Sequence, residues 1–145
     1  MENDFLDQVS LPKLKFSAQR GDATAQCNLA TQLMATGDHS SAAIWYRFAA
    51  QQGNALAQYN LGCLLLNGQG VEQDFLEAIK WFSEAAQRGY VNAIYNLAYM
   101  YENGYGCKRD IEKARSLYKE AADHGDPDAQ RKLLEMANDD DYKIF

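Results

Sequence analysis

Two prolines in 145 residues leave little to interrupt helices, and the two histidines, His39 and His124, are too few to build a metal site or a proton relay. No apolar stretch approaches the ~18 residues that a membrane span needs, and no basic segment followed by an apolar run opens the chain. A cytoplasmic protein without a membrane role is expected. The 14 Lys and Arg face 20 Asp and Glu, a net charge of −6. Nucleic-acid affinity rests on clustered cations that release counterions, so no nucleic-acid partner is expected. Cys27, Cys63 and Cys107 are odd in number and fall at unrelated positions of the internal repeat, which excludes a disulfide framework and a metal-ligand spacing. Neither a metal nor any other cofactor is expected. So few histidines also give no Ser/His/Asp arrangement, and the chain does not read as an enzyme.

What the chain has in abundance is self-similarity. Trp45-Tyr46, Trp81-Phe82 and Leu117-Tyr118 recur every 36 positions, as do Ala49-Ala50, Ala85-Ala86 and Ala121-Ala122, and Gly53, Gly89 and Gly125. A fixed period of this size marks a solenoid. Within the second repeat, Ala57, Leu61, Gly62 and Leu65 mark one helix face, and Phe75, Ala78, Ile79, Phe82 and Ala86 another, in three- and four-residue steps. Each repeat is thus a helical hairpin.

The break between helices is Asn67-Gly68-Gln69-Gly70-Val71, repeated as Asn103-Gly104-Tyr105-Gly106-Cys107. Its glycines suit the left-handed conformation that ends a helix. These Gly-x-Gly pieces lack the preceding strand and the Lys-Ser/Thr of a phosphate loop and read as turns. Asp74 and Asp110 are positioned as N-caps, Asp74 with Glu77 three residues on. The first repeat is four residues shorter, with a tight turn at Thr36-Gly37-Asp38. Small residues such as Gly62 and Ala98 let neighbouring helices approach, while Trp45, Tyr46, Trp81 and Phe82 fill the spaces between hairpins.

The expected organisation is a flexible N-terminus over 1–10, a repeat domain over 11–137 and an acidic mobile tail over 138–145. The repeat domain divides into a half-repeat (11–21), hairpins at 22–53, 54–89 and 90–125, and a capping helix (126–137) opened by Asp126 and Pro127.

The pattern Ala-x-x-x-Leu-Gly, Gly-x-Gly-Val-x-x-Asp, Ala-x-x-Trp-Phe-x-x-Ala-Ala-x-x-Gly, running from Ala57 to Gly89, resembles the Sel1-like repeat, a tetratricopeptide-related hairpin with a glycine-containing turn. The resemblance implies an all-α fold, a right-handed α-solenoid of about three hairpins with half-repeat caps at both ends. It also implies a non-catalytic adaptor, scaffold or regulator that binds a protein or peptide in a concave groove. A monomeric or weakly associating protein is expected, since its cysteines are unpaired and its hairpins are held by apolar packing. Some bacterial relatives are immunity proteins for secreted toxins, and cysteine-rich relatives have been proposed to bind or hydrolyse penicillin. That branch pairs its cysteines between helices, and this chain has no such pairs.

Laying the tetratricopeptide groove positions onto this chain gives Thr24, Cys27 and Thr31 in the first hairpin and Leu56, Tyr59, Cys63 and Leu66 in the second. The third contributes Asn92, Tyr95, Tyr99 and Glu102, and the last helix Asp128, Arg131 and Glu135. Tyrosine anchors partners well because it offers large contact area at small entropic cost; the alternative is that these rings fill space between hairpins. Asn28, Asn60 and Asn96 recur before a leucine and either read a peptide backbone or bond within the repeat. A carboxylate clamp would need cations beside them, and only Arg131 is near. The acids Glu102, Asp128 and Glu135 outnumber Arg131, so a partner with apolar anchors and a basic flank is expected.

Overall fold

In the computed structural model the backbone is described over 2–143 and side chains over 11–140. Eight helices, with no strand among the described residues, follow in order: α1 (Glu2–Gln19), α2 (Ala23–Ala35), α3 (His39–Gln51), α4 (Ala55–Asn67), α5 (Phe75–Gln87), α6 (Val91–Asn103), α7 (Ile111–Asp123) and α8 (Pro127–Lys143). Two compact units divide the chain, 1–74 and 75–145. In the first, α1 packs on α2, α2 on α3 and α3 on α4; in the second, α5 packs on α6, α6 on α7 and α7 on α8.

The helix starts follow from capping chemistry. Asp22, Asp38, Asn54 and Asp110 each accept a hydrogen bond from the backbone N–H three residues on, satisfying a donor that the first turn leaves without an intrahelical partner. Gly68 and Gly104 take the left-handed conformation at the C-terminal ends of α4 and α6. The second glycine of each turn has a steric reason as well. A Cβ on Gly70 would lie 2.4 Å from the carbonyl carbon of His39, and one on Gly106 2.4 Å from the carbonyl oxygen of Phe75. Each turn therefore lies directly on the first residue of the second helix of the preceding hairpin. Glu77 differs from its expected capping use in one respect: its Oε1 accepts the indole N–H of Trp81 one turn along α5.

The core is built from the repeated alanines and the large rings between them. Tyr46, Phe82 and Tyr118, which share one repeat position, are 3%, 0% and 0% exposed. Burying such a ring contributes roughly 2–3 kcal/mol. A side-chain device joins successive repeats: the amides of Gln26, Gln58 and Gln130 donate to the carbonyls of Ala18, Ala50 and Ala122, on the helix before. Gln52 ties the first of these further, donating to Gln26 Oε1 and to the carbonyl of Gly21.

The ends depart from expectation. The backbone is helical from residue 2, through the segment read as a flexible N-terminus, whose side chains lie outside the described residues. At the other end α8 continues to Lys143, whereas the acidic run over 138–141 shows no helical pattern in sequence. The run has a partner on the neighbouring helix: Asp140 forms an ion pair with Arg115 of α7.

Candidate functional site

The first helices α2, α4 and α6, with α8, carry the positions expected to meet a partner. In the first unit Thr24 and Asn28 of α2 are exposed, and with Lys13 and Ser17 of α1 they line an open depression of about 630 Å³. Cys27 does not belong to this surface. It is 2% exposed, its side chain turned into the core by the local register of α2, and burial pushes its thiol pKa up. Thr31 is exposed, but its hydroxyl bonds the Cys27 carbonyl and the hydroxyl of Tyr46. Burial raises the Tyr46 pKa, opposed by that bond and by a second hydrogen bond from Asn60. The recurrent asparagine of α4 thus bonds to the neighbouring helix α3. On α4, Leu56 is 40% exposed, and Tyr59, Cys63 and Leu66 are half-buried.

In the second unit Asn92 is exposed and Tyr95 half-buried, its ring meeting that of Tyr118 edge-on at 5.2 Å. Burial first, then the carboxylate of Asp128, raises the Tyr95 pKa. Tyr99, 38% exposed, lies 5.8 Å from the ring of Tyr105, which stacks on Phe75 at 4.8 Å. A strip of aromatic surface therefore runs from α6 over the glycine turn to the start of α5. Tyr99 is its accessible end, while Tyr95 divides its surface between core and solvent.

Glu102 is held on both carboxylate oxygens. Oε2 accepts the Tyr118 hydroxyl at 2.7 Å, and Oε1 pairs with Lys132 Nζ at 2.8 Å. The Tyr118 pKa is raised, first by burial and then by that hydrogen bond, and the Lys132 pKa is raised by its bond to Glu102. Arg131 pairs with Asp128 one turn earlier on α8, and Glu135 stands 4.0 Å from Lys132. The sequence expectation omitted Lys132 because it lies one residue out of the groove register. Its long stem nevertheless reaches from α8 to α6. Local charge is therefore nearly balanced, three acids against two cations, and the case for a strongly basic partner weakens.

Among the described residues no group of His, Cys, Asp and Glu is gathered as metal ligands would be, and no helix is long and apolar enough to cross a membrane. All three cysteines are free.

A stack of two-helix repeats joined by glycine turns, with aromatic and polar side chains on the first helices, defines an all-α repeat solenoid. The Sel1 repeat family matches residues 23–54, 55–90 and 91–126, and the chain belongs to that family. No curated protein matches it. A Sel1 repeat protein from Oxalobacter formigenes is 32% identical with a TM-score of 0.78, over 87% of this chain and 98% of that one. The protective antigen c5321 of uropathogenic Escherichia coli, which displays an SLR fold, is 28% identical with a TM-score of 0.67. That match covers 87% of this chain but 36% of the antigen. Cysteine-rich protein B (hcpB) of Helicobacter pylori shares the fold at 20% identity and a TM-score of 0.64, over 83% and 95% of the two chains. Proteins of Sel1 repeats are generally scaffolds for protein interaction and typically non-catalytic.

Proposed function

We propose that the protein is a non-catalytic interaction module, an adaptor or regulator, which binds a partner protein or peptide on the faces of its first helices. The observation that carries this reading is Tyr99, a ring 38% exposed at the accessible end of the Tyr99–Tyr105–Phe75 strip. Partner anchors are apolar and set the dissociation rate. Because Glu102 and Arg131 already have ionic partners, the charge demanded of the ligand's flank is small. The free thiols and the acidic balance suit a reducing cytoplasm and a monomer.

The test is to capture a partner from the native cell and measure its affinity for Tyr59→Ala and Tyr99→Ala variants. A loss of at least about tenfold, ~1.4 kcal/mol, is expected with the helical circular dichroism unchanged. Tyr95→Ala is a poorer probe, since it also removes a contact to Tyr118. Full affinity in the Tyr59 and Tyr99 variants would remove binding from this face.

A further inference from the structure

Helix α1 lacks the ring that plugs each later hairpin. The offset of 32 residues that carries Ala18 and Gln26 onto Ala50 and Gln58 also carries Lys13 and Leu14 onto Trp45 and Tyr46. Later repeats place Trp81 and Phe82, then Leu117 and Tyr118, at this pair. Tyr46, Phe82 and Tyr118 are almost fully buried, whereas α1 leaves a half-buried Leu14 in their place. The depression of about 630 Å³ lies where the ring is missing, lined by Lys13 and Leu14 of α1 and by Ala25 and Asn28 of α2. Its size is that of a ligand-binding cleft, ~300–1,000 Å³.

The polar groups around this gap are uncommitted. In the next repeat the Asn60 side chain hydrogen-bonds to the Tyr46 hydroxyl. Asn28 stands where Asn60 stands, but Leu14, in the place of Tyr46, has no hydroxyl to offer. Among the described residues, the side chains of Asn28, Ser17, Thr24 and Lys13 have no hydrogen bond or ion pair, although all four line the depression. Its two charges are unequally spent. Asp22 gives Oδ1 to the Ala25 N–H at 2.7 Å, and the positive end of the helix that it caps offsets its carboxylate. The Lys13 ammonium has no acid paired with it.

We propose that the depression between α1 and α2 receives a tyrosine of a partner protein, on a segment that carries Asp or Glu beside it. The ring lies against Leu14 and Ala25 and supplies the apolar contact that the repeat's own ring supplies elsewhere. Its hydroxyl meets the Asn28 amide as the Tyr46 hydroxyl meets Asn60, and the neighbouring carboxylate pairs with Lys13. This inference rests on the reading of the protein as an interaction module and deepens it by naming the anchor that the partner brings.

The experiment selects a displayed library of random peptides on the whole protein and measures the enriched peptides, with their Tyr→Phe forms, on three variants. Leu14→Tyr takes the residue that two later repeats carry and fills the depression from within. Asn28→Ala removes the amide, and Lys13→Met keeps the stem while removing the charge. Enriched peptides should carry tyrosine next to Asp or Glu, and should bind Leu14→Tyr at least about tenfold more weakly. The wild type should prefer tyrosine to phenylalanine by about fivefold, a preference that Asn28→Ala erases. Because Asn28 is exposed, its variant keeps the fold whatever becomes of Leu14→Tyr. Lys13→Met should slow association and flatten its salt dependence. Absence of tyrosine from the selected peptides, equal binding to Leu14→Tyr, or a tyrosine preference that survives Asn28→Ala would overturn the proposal. So would a wild-type dimer in sedimentation that Leu14→Tyr abolishes. Peptides that ignore Leu14→Tyr but are lost with Tyr99→Ala would overturn this anchor site and leave the interaction module standing.

Discussion

The Tyr118 hydroxyl donates to Glu102 at 2.7 Å while Lys132 holds the other carboxylate oxygen at 2.8 Å, so that one acid of α6 ties α7 and α8 to itself. Both proton-bearing partners have pKa values raised above their ordinary 10.0 and 10.5. A group that holds its proton more tightly when folded contributes stability below its unfolded pKa and loses it as pH rises. Melting temperature should therefore be steady through neutral pH and fall above about pH 10. Tyr118→Phe should lower stability by about 1 kcal/mol at neutral pH, for the lost hydrogen bond, and soften the alkaline decline. An equal alkaline slope in that variant would show that Tyr118 is not the titrating group.

Gly70→Ala and Gly106→Ala should each destabilise by about 2–4 kcal/mol, combining a left-handed backbone with a forced shift against His39 or Phe75. Gly37→Ala provides the control. Its φ is +86° but nothing lies within 4 Å of an added Cβ, so about 1 kcal/mol is expected. Denaturant titration of the three variants separates steric contact from backbone strain.

Trp81 is 6% exposed, and its truncation to alanine should lower stability by about 3–5 kcal/mol. Trp45, at the same repeat position, is half-buried and should prove less sensitive. Thermal melts of the two variants order them.

Reductant should leave the melting temperature unchanged, because Cys27, Cys63 and Cys107 are all free. A fall on reduction would show that a bridge forms in solution.

The hairpins were legible because their signals are local: period, capping residues and glycine turns lie within a few positions of one another. The contribution of Gln26, Gln58 and Gln130 was not, although each follows an alanine in the repeat, because nothing in an Ala-Gln pair says that the amide turns back to the preceding helix. Lys132 escaped for a related reason. Groove positions were read at helical spacing, whereas a four-carbon stem carries charge across from an adjacent register to Glu102. Cys27 was misplaced by the same borrowed register, which overlooks how far α2 turns that position into the core. Beyond Asn138, Asp140 of α8 pairs with Arg115, 25 residues earlier, and no local window contains both.

In the second unit Ile94, 1% exposed, stands where the other first helices carry Gln26, Gln58 and Gln130. A branched hydrocarbon can hold α6 to α5 only by keeping water out, and that force fades on cooling, whereas an amide bound to a carbonyl does not share this loss. The joints of the stack therefore age differently with temperature. Near freezing, amide protons along α5 and α6 should exchange sooner than those where α7 meets α8, and a chilled molecule would open from within its second unit before it frays there from the end.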